Sequence, residues 1–152
     1  MKPPASSPPG PLATIGYETD TLDGMIGRLK AAGVETVVDV RAVAASRRPG
    51  FSKTMLGNSL RAEGIDYVHL RPLGTPKAGR EAARAGRTDE MRAIFHAHLA
   101  EPAAQVALGE ATALAGEKRI ALLCYEADAT CCHRAIVADE IRARLKCEVV
   151  DL

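Results

Sequence analysis

The chain has 152 residues, 47% hydrophobic and 26% charged, the proportions of an ordinary globular domain large enough to bury a core. Its 20 Lys and Arg stand against 19 Asp and Glu, so no overall basicity points to nucleic acid, and any polyanion contact has to come from a local patch. No apolar stretch reaches the length of a membrane span and the N-terminus lacks the apolar run of a secretory signal, so a cytoplasmic protein with reduced cysteines and no membrane partner is expected.

Residues 1–11 carry Pro3, Pro4, Pro8, Pro9 and Pro11, which supply no backbone donors and little to bury, and a disordered tail is expected there. Residues 12–152 read as one domain. Leu12 to Tyr17 is a first strand, and Thr21 caps a helix whose Leu22, Met25, Ile26 and Leu29 recur at helical spacing up to Gly33. Thr36 to Val40 is a second, β-branched strand, ending in Asp39-Val40-Arg41. The basic loop that follows holds Ser46, Arg47 and Arg48. Ser52 then opens a helix with Met55, Leu56 and Leu60 that stops at Gly64, and Ile65 to Leu70 alternates as a third strand.

From Arg71 to Arg87 the periodicity is lost among Gly74, Pro76, Gly79, Gly86 and the cationic Lys77, Arg80, Arg84 and Arg87, so an irregular lid or binding loop is expected. Thr88-Asp89-Glu90 starts a helix with Met91, Ile94, Phe95 and Leu99 on one face. Pro102 starts another, running through Val106, Ala107 and Leu114 to about Gly116. Ile120 to Cys124 is a nearly unbroken apolar run, as expected of a strand buried on both faces. A polar loop leads from it to Cys131-Cys132-His133-Arg134 at the head of a last helix, with Val137, Ala138, Ile141 and Leu145 facing inward. Cys147 to Leu152 closes the chain as a fifth strand. Strands alternating with helices predict an α/β three-layer sandwich around a mainly parallel five-stranded sheet, Rossmann-like in its layering.

In such a sheet the segments after each strand share one rim, where ligands bind. Tyr17, Asp39, Arg41 and Glu126 should meet there, facing a helix N-terminus that carries Cys132, His133 and Arg134. Arg41, Arg47, Arg134 and Tyr17 are the expected ligand-binding residues, because guanidinium groups and helix amides suit an anion. Asp39, Glu126, His133 and Cys132 are the expected catalytic ones: carboxylates and an imidazole to move a proton, and a thiol whose surroundings favour the thiolate. Cys131 shares that position with Cys132, whereas Cys124, at a buried strand end, reads as a core thiol. Cys124, Glu126, Cys131, Cys132 and His133 include enough ligand types for a metal, but their spacing matches no standard zinc pattern, so no metal is expected and no cofactor is identified.

The segments Thr14-Ile15-Gly16, Asp39-Val40-Arg41, Ser46-Arg47, Phe51, Gly64-Ile65-Asp66-Tyr67, Leu73-Gly74-Thr75-Pro76-Lys77, Leu122-Leu123-Cys124-Tyr125-Glu126 and Cys132-His133-Arg134 resemble, in order, the bacterial and archaeal family catalogued as domain of unknown function 488. This chain has Tyr17 where that family usually shows histidine, and Ala44 where proline is common. The resemblance implies the site residues and no particular reaction. The residues themselves suit an anionic, phosphate-bearing ligand, a nucleotide or nucleic acid. The alternatives are cysteine-based sulfur transfer and a regulatory or adaptor domain docking through residues 71–87.

Overall fold

Strands β1 (Leu12–Gly16), β2 (Thr36–Asp39), β3 (Asp66–His69), β4 (Ile120–Cys124) and β5 (Val149–Asp151) pair in the order β3-β2-β4-β1-β5, every pair parallel. The computed structural model describes residues 11–152, so the expected proline-rich tail, Pro11 apart, lies outside the described residues. Parallel neighbours need crossovers, and these are provided by helices α1 (Leu22–Ala31), α2 (Lys53–Ala62), α3 (Lys77–Arg84), α4 (Thr88–Leu99), α5 (Pro102–Glu117) and α6 (Arg134–Leu145). The protein is α/β, an all-parallel five-stranded sheet flanked by six helices. Among the described residues no helix is long and apolar enough to cross a membrane.

Strand alternation divides the core in two. Ile120, Leu122 and Cys124 of β4 pack with Phe95 of α4, Leu108 of α5 and Val137 of α6, whereas Ala121 and Leu123 of the same strand pack with Met25 of α1 and Leu56 of α2. β4 lies between β2 and β1 and is buried at all five positions, which is why its sequence carries no polar residue. Thr21 caps α1 as expected, its Oγ1 accepting from the Gly24 amide at 3.0 Å. Ser52 precedes α2 without capping it. Its hydroxyl instead accepts from Ser46 N at 3.0 Å and donates to Ser46 O at 3.2 Å, pinning the basic loop back on itself.

Two expectations are corrected. Residues 71–87 are not irregular: a 3-10 turn at Arg71–Leu73 leads into α3, which lies against α4. The inward face of α3 is made of Gly79 and Ala82, too small to give an apolar period, and a Cβ on Gly79 would lie 2.2 Å from Thr75 Cγ2. The last helix starts later than expected, at Arg134. Asp128 accepts from Thr130 N at 2.9 Å and from Cys131 N through its carbonyl at 3.1 Å, building a separate 3-10 turn at Ala129–Cys131. Cys132 and His133 therefore occupy the joint between that turn and α6, with His133 as its N-cap residue.

Because all strands run the same way, Gly16 stands beside Cys124, and Asp39 beside Leu123. The segments that leave β1, β2 and β4 emerge together on one edge.

Candidate functional site

The edge contains two buried clusters. In the first, Arg41, 4% exposed, donates from Nε and Nη2 to the Asp39 carboxylate at 2.9 and 2.7 Å, and from Nη1 to Tyr17 Oη at 3.0 Å and Phe51 O at 2.8 Å. Asp39 also accepts from the Arg41 amide at 3.0 Å and from Tyr67 Oη at 2.5 Å. Tyr17 stacks on Phe51 with ring centroids 4.3 Å apart. Burial opposes the Arg41 charge, but Asp39 outweighs it and raises the guanidinium above its ordinary value; burial and then Asp39 likewise raise Tyr67. Every donor and acceptor here has a partner within the protein, so the cluster fixes the loop after β2 rather than presenting Asp39 or Arg41 to a ligand.

The second cluster gathers around His133. Its Nε2 lies 2.7 Å from Val40 O, and its Nδ1 lies 3.8 Å from Cys124 Sγ and 3.7 Å from Cys132 Sγ. A carbonyl only accepts, so Nε2 carries the hydrogen and Nδ1 faces the sulfurs. Phe95 of α4 holds the imidazole from the side, with centroids 5.0 Å apart. Glu126 Oε2 is 3.4 Å from Cys124 Sγ, and the Arg134 amide approaches Cys132 Sγ at 3.5 Å. Burial resists ionisation of Cys132, but the Cys124 hydrogen bond, His133 and Arg134 outweigh it and hold that thiol well below its ordinary range. Cys124, hydrogen-bonded to Cys132 and desolvated, is held well above it. Burial and the charge on Cys132 push Glu126 up, and for His133 that charge overcomes the opposing effect of burial, so its value also rises.

Arg134 locks this cluster in place. It is 0% exposed, and its Nη1 and Nη2 donate to the carbonyls of Glu126 and Ala127, while its Nε has no hydrogen-bond partner. The loop can lie this low because residue 16 is glycine: a Cβ there would sit 1.7 Å from Glu126 O.

A cavity of about 730 Å³ opens above both clusters, with Cys124, Cys132, His133 and Glu126 at its floor. Tyr17 and Arg41 reach its wall, but Asp39 does not. Arg47, exposed on the loop after β2, borders it, as do Arg80 and Arg84 of α3. Arg80 donates to Thr75 O at 2.9 Å; among the described residues no hydrogen bond or ion pair engages Arg47 or Arg84. Thr75, 2% exposed on the cavity wall, has a hydroxyl without a partner among the described residues. Tyr125, 43% exposed, offers a ring beside the opening. Arg48 turns the other way, donating to Tyr17 O and Glu18 O at 2.6 Å.

The structure thus brings Tyr17, Arg41, Arg47, Glu126, Cys132 and His133 to one cavity, with Arg134 buried beneath the floor and Asp39 behind the wall. Cys131, exposed, also borders the cavity, its Sγ 3.7 Å from Asp128 Oδ2. The core thiol expected at Cys124 is buried in the core and also lines the cavity; Arg80 and Arg84, expected in a cationic binding loop, stand instead on a helix, and Thr75 is not singled out by the sequence. The four-residue spacing of Arg80 and Arg84 was the available signal, since it places both on one helix face once the segment is helical.

Residues 21–141 match the family model described as "Domain of unknown function DUF488". No curated protein and no solved structure matches the chain. The matched span runs from α1 into α6 and includes every residue of the cavity floor, and on that match the chain belongs to the DUF488 family.

Proposed function

We propose that this protein is an enzyme acting on a small phosphate-bearing ligand of nucleotide size, bound in the cavity with its anionic group against Arg47, Arg80 and Arg84. The observation that carries the reading is one cavity whose lining holds two unengaged guanidinium groups together with a cluster of thiols, imidazole and carboxylate. Its volume, about 730 Å³, falls in the range of small-molecule sites. Guanidinium groups recognise phosphate by paired donors, the orphaned Thr75 hydroxyl adds another, and the exposed ring of Tyr125 suits a planar base. Glu126 and His133 stand at the floor, where a proton would be moved.

Calorimetric titration of the full chain with inorganic phosphate and with nucleoside monophosphates tests this. Saturable uptake of one ligand per chain is expected, weakened at least ten-fold in an Arg47→Ala/Arg84→Ala variant. No uptake, or equal affinity in the variant, rejects the reading.

A second reading, thiol chemistry with Cys132 as nucleophile, is favoured by the Arg134 amide and His133 Nδ1 converging on Cys132 Sγ. It expects iodoacetamide to modify Cys132 of the reduced, metal-free protein at neutral pH faster than a free model thiol. An equal or slower rate removes it.

A further inference from the structure

We propose that Cys124, Cys132 and His133 bind a single divalent metal ion, zinc by the chemistry of the donors, at the floor of the cavity. The inference rests on the proposed function only in taking this cavity as the working site. The donor atoms Cys124 Sγ, Cys132 Sγ and His133 Nδ1 all lie within 4.8 Å of one another. Zn–S bonds near 2.3 Å and Zn–N bonds near 2.0 Å place tetrahedral ligand atoms roughly 3.5 to 3.8 Å apart. His133 Nδ1 stands 3.8 Å from one sulfur and 3.7 Å from the other, so an ion fits between them with little rearrangement.

The surroundings are those of a coordinated metal. A ligating histidine donates its far ring nitrogen to a carbonyl or carboxylate, which fixes the tautomer and turns the near nitrogen's lone pair to the ion. Val40 O does this at 2.7 Å. Metal-bound sulfurs are anionic and accept amide hydrogens, as Cys132 Sγ does from Arg134 N at 3.5 Å. Arg134 itself is wholly buried, and among the described residues no carboxylate pairs with it, a costly arrangement unless negative charge lies close by. Two thiolates supply it, and a divalent ion in turn balances them.

Spacing along the chain concealed the set. Cys124 ends a strand, while Cys132 and His133 adjoin each other eight residues on, before a helix. The intervening loop, folded by the 3-10 turn at Ala129–Cys131, returns them to one point. Three protein donors with the remaining side open to a cavity is the arrangement of reactive zinc sites, not of closed structural ones. When bound, such an ion activates water or polarises an oxygen of a ligand. Glu126, with Oε2 3.4 Å from Cys124 Sγ, is the carboxylate beside that open side.

The test is titration of Co²⁺ into the reduced, chelator-stripped full chain. Thiolate-to-cobalt charge-transfer absorption and the intense visible bands of tetrahedral cobalt are expected, saturating at one equivalent and displaced by Zn²⁺. Cys124→Ser and Cys132→Ser should each weaken binding at least ten-fold, while Cys131→Ser and Cys147→Ser leave it unchanged. Should the first pair fail to fold, mass-spectrometric alkylation mapping of the wild-type chain decides: Zn²⁺ must protect Cys124 and Cys132 and leave Cys131 reactive. Absence of saturable cobalt bands, bands that survive Cys132→Ser, or protection of Cys131 instead overturns the proposal. Lost cobalt binding with phosphate uptake intact sinks the metal site and spares the anion cavity; the converse spares the metal site.

Discussion

Arg41 and Arg134 are both buried arginines on the same edge of the sheet, and they are satisfied in opposite ways. Arg41 faces the Asp39 carboxylate through two nitrogens and spends the third on Tyr17 and Phe51. Arg134, more deeply buried, has among the described residues two carbonyls, an orphaned Nε and no carboxylate. Taking a charge out of water is costly unless an opposite charge is close, and the first arrangement meets that cost internally. The second leaves a positive charge felt by Cys132 and Asp128 but paired directly with neither. A saturated cluster is scaffold; an unsaturated one, opening on a cavity, is where an outside group adds most.

Breaking the saturated side should cost most. Asp39→Ala strips Arg41 of its counter-charge and Tyr67 of its acceptor while both stay buried, a loss on the order of 3–5 kcal/mol. Urea denaturation should show the midpoint falling steeply with little change in slope. A loss below about 1 kcal/mol would mean that the Arg41 environment is wetter than its 4% exposure indicates. The corresponding change on the other side, Arg134→Met, removes the two bonds that hold the 126–127 backbone without orphaning any carboxylate, and should cost less, about 1.5–3 kcal/mol. It also removes a positive charge near Cys132, so iodoacetamide should modify that thiol more slowly in the variant. An unchanged rate would detach Arg134 from the sulfur cluster.

The comparison also shows what could be read from the chain beforehand. β4 was legible to the residue, because a strand buried on both faces has no room for a polar position. The rim was legible too, since parallel topology forces strand ends onto one edge. What an arginine is bonded to was not: Arg41 and Arg134 look alike in sequence, and only the placement of Asp39 within 3 Å of one of them separates scaffold from site. Cys124, read as a core thiol, is buried in the core as expected and also lines the cavity, a placement hidden because its neighbours lie across a turn whose geometry Asp128 sets locally. α3 escaped because its buried side is Gly79 and Ala82, close packing achieved by removing side chains instead of repeating large ones.

A finer cut within the saturated cluster is Tyr67→Phe, which deletes one hydrogen bond to Asp39 and leaves the ion pair, at about 1 kcal/mol. The sign of its pH dependence follows from the raised value of Tyr67, caused first by burial and then by Asp39. Above the ordinary tyrosine value of about 10, the unfolded chain loses this proton while the folded one keeps it, so stability falls as pH rises. Tyr67→Phe removes that contribution, and the difference in stability between wild type and variant should narrow above pH of about 10. A constant difference would mean that Tyr67 titrates alike in both states.

The smallest effect on stability belongs to the cavity wall. Arg84 is exposed, borders the cavity and engages no hydrogen bond or salt bridge among the described residues, so Arg84→Ala should change folding stability by no more than about 0.5 kcal/mol. Arg80→Ala, one turn earlier, should cost more, since it releases the Thr75 carbonyl that Arg80 holds at 2.9 Å. Phosphate affinity should rank them differently, with Arg84→Ala lowering it at least five-fold despite leaving the fold alone. A side chain that contributes nothing to stability yet controls ligand uptake is the behaviour the unsaturated side of the edge demands. If Arg84→Ala instead destabilised the fold and left phosphate uptake alone, the division between scaffold and site drawn from Arg41 and Arg134 would fail on the residue where it is easiest to test.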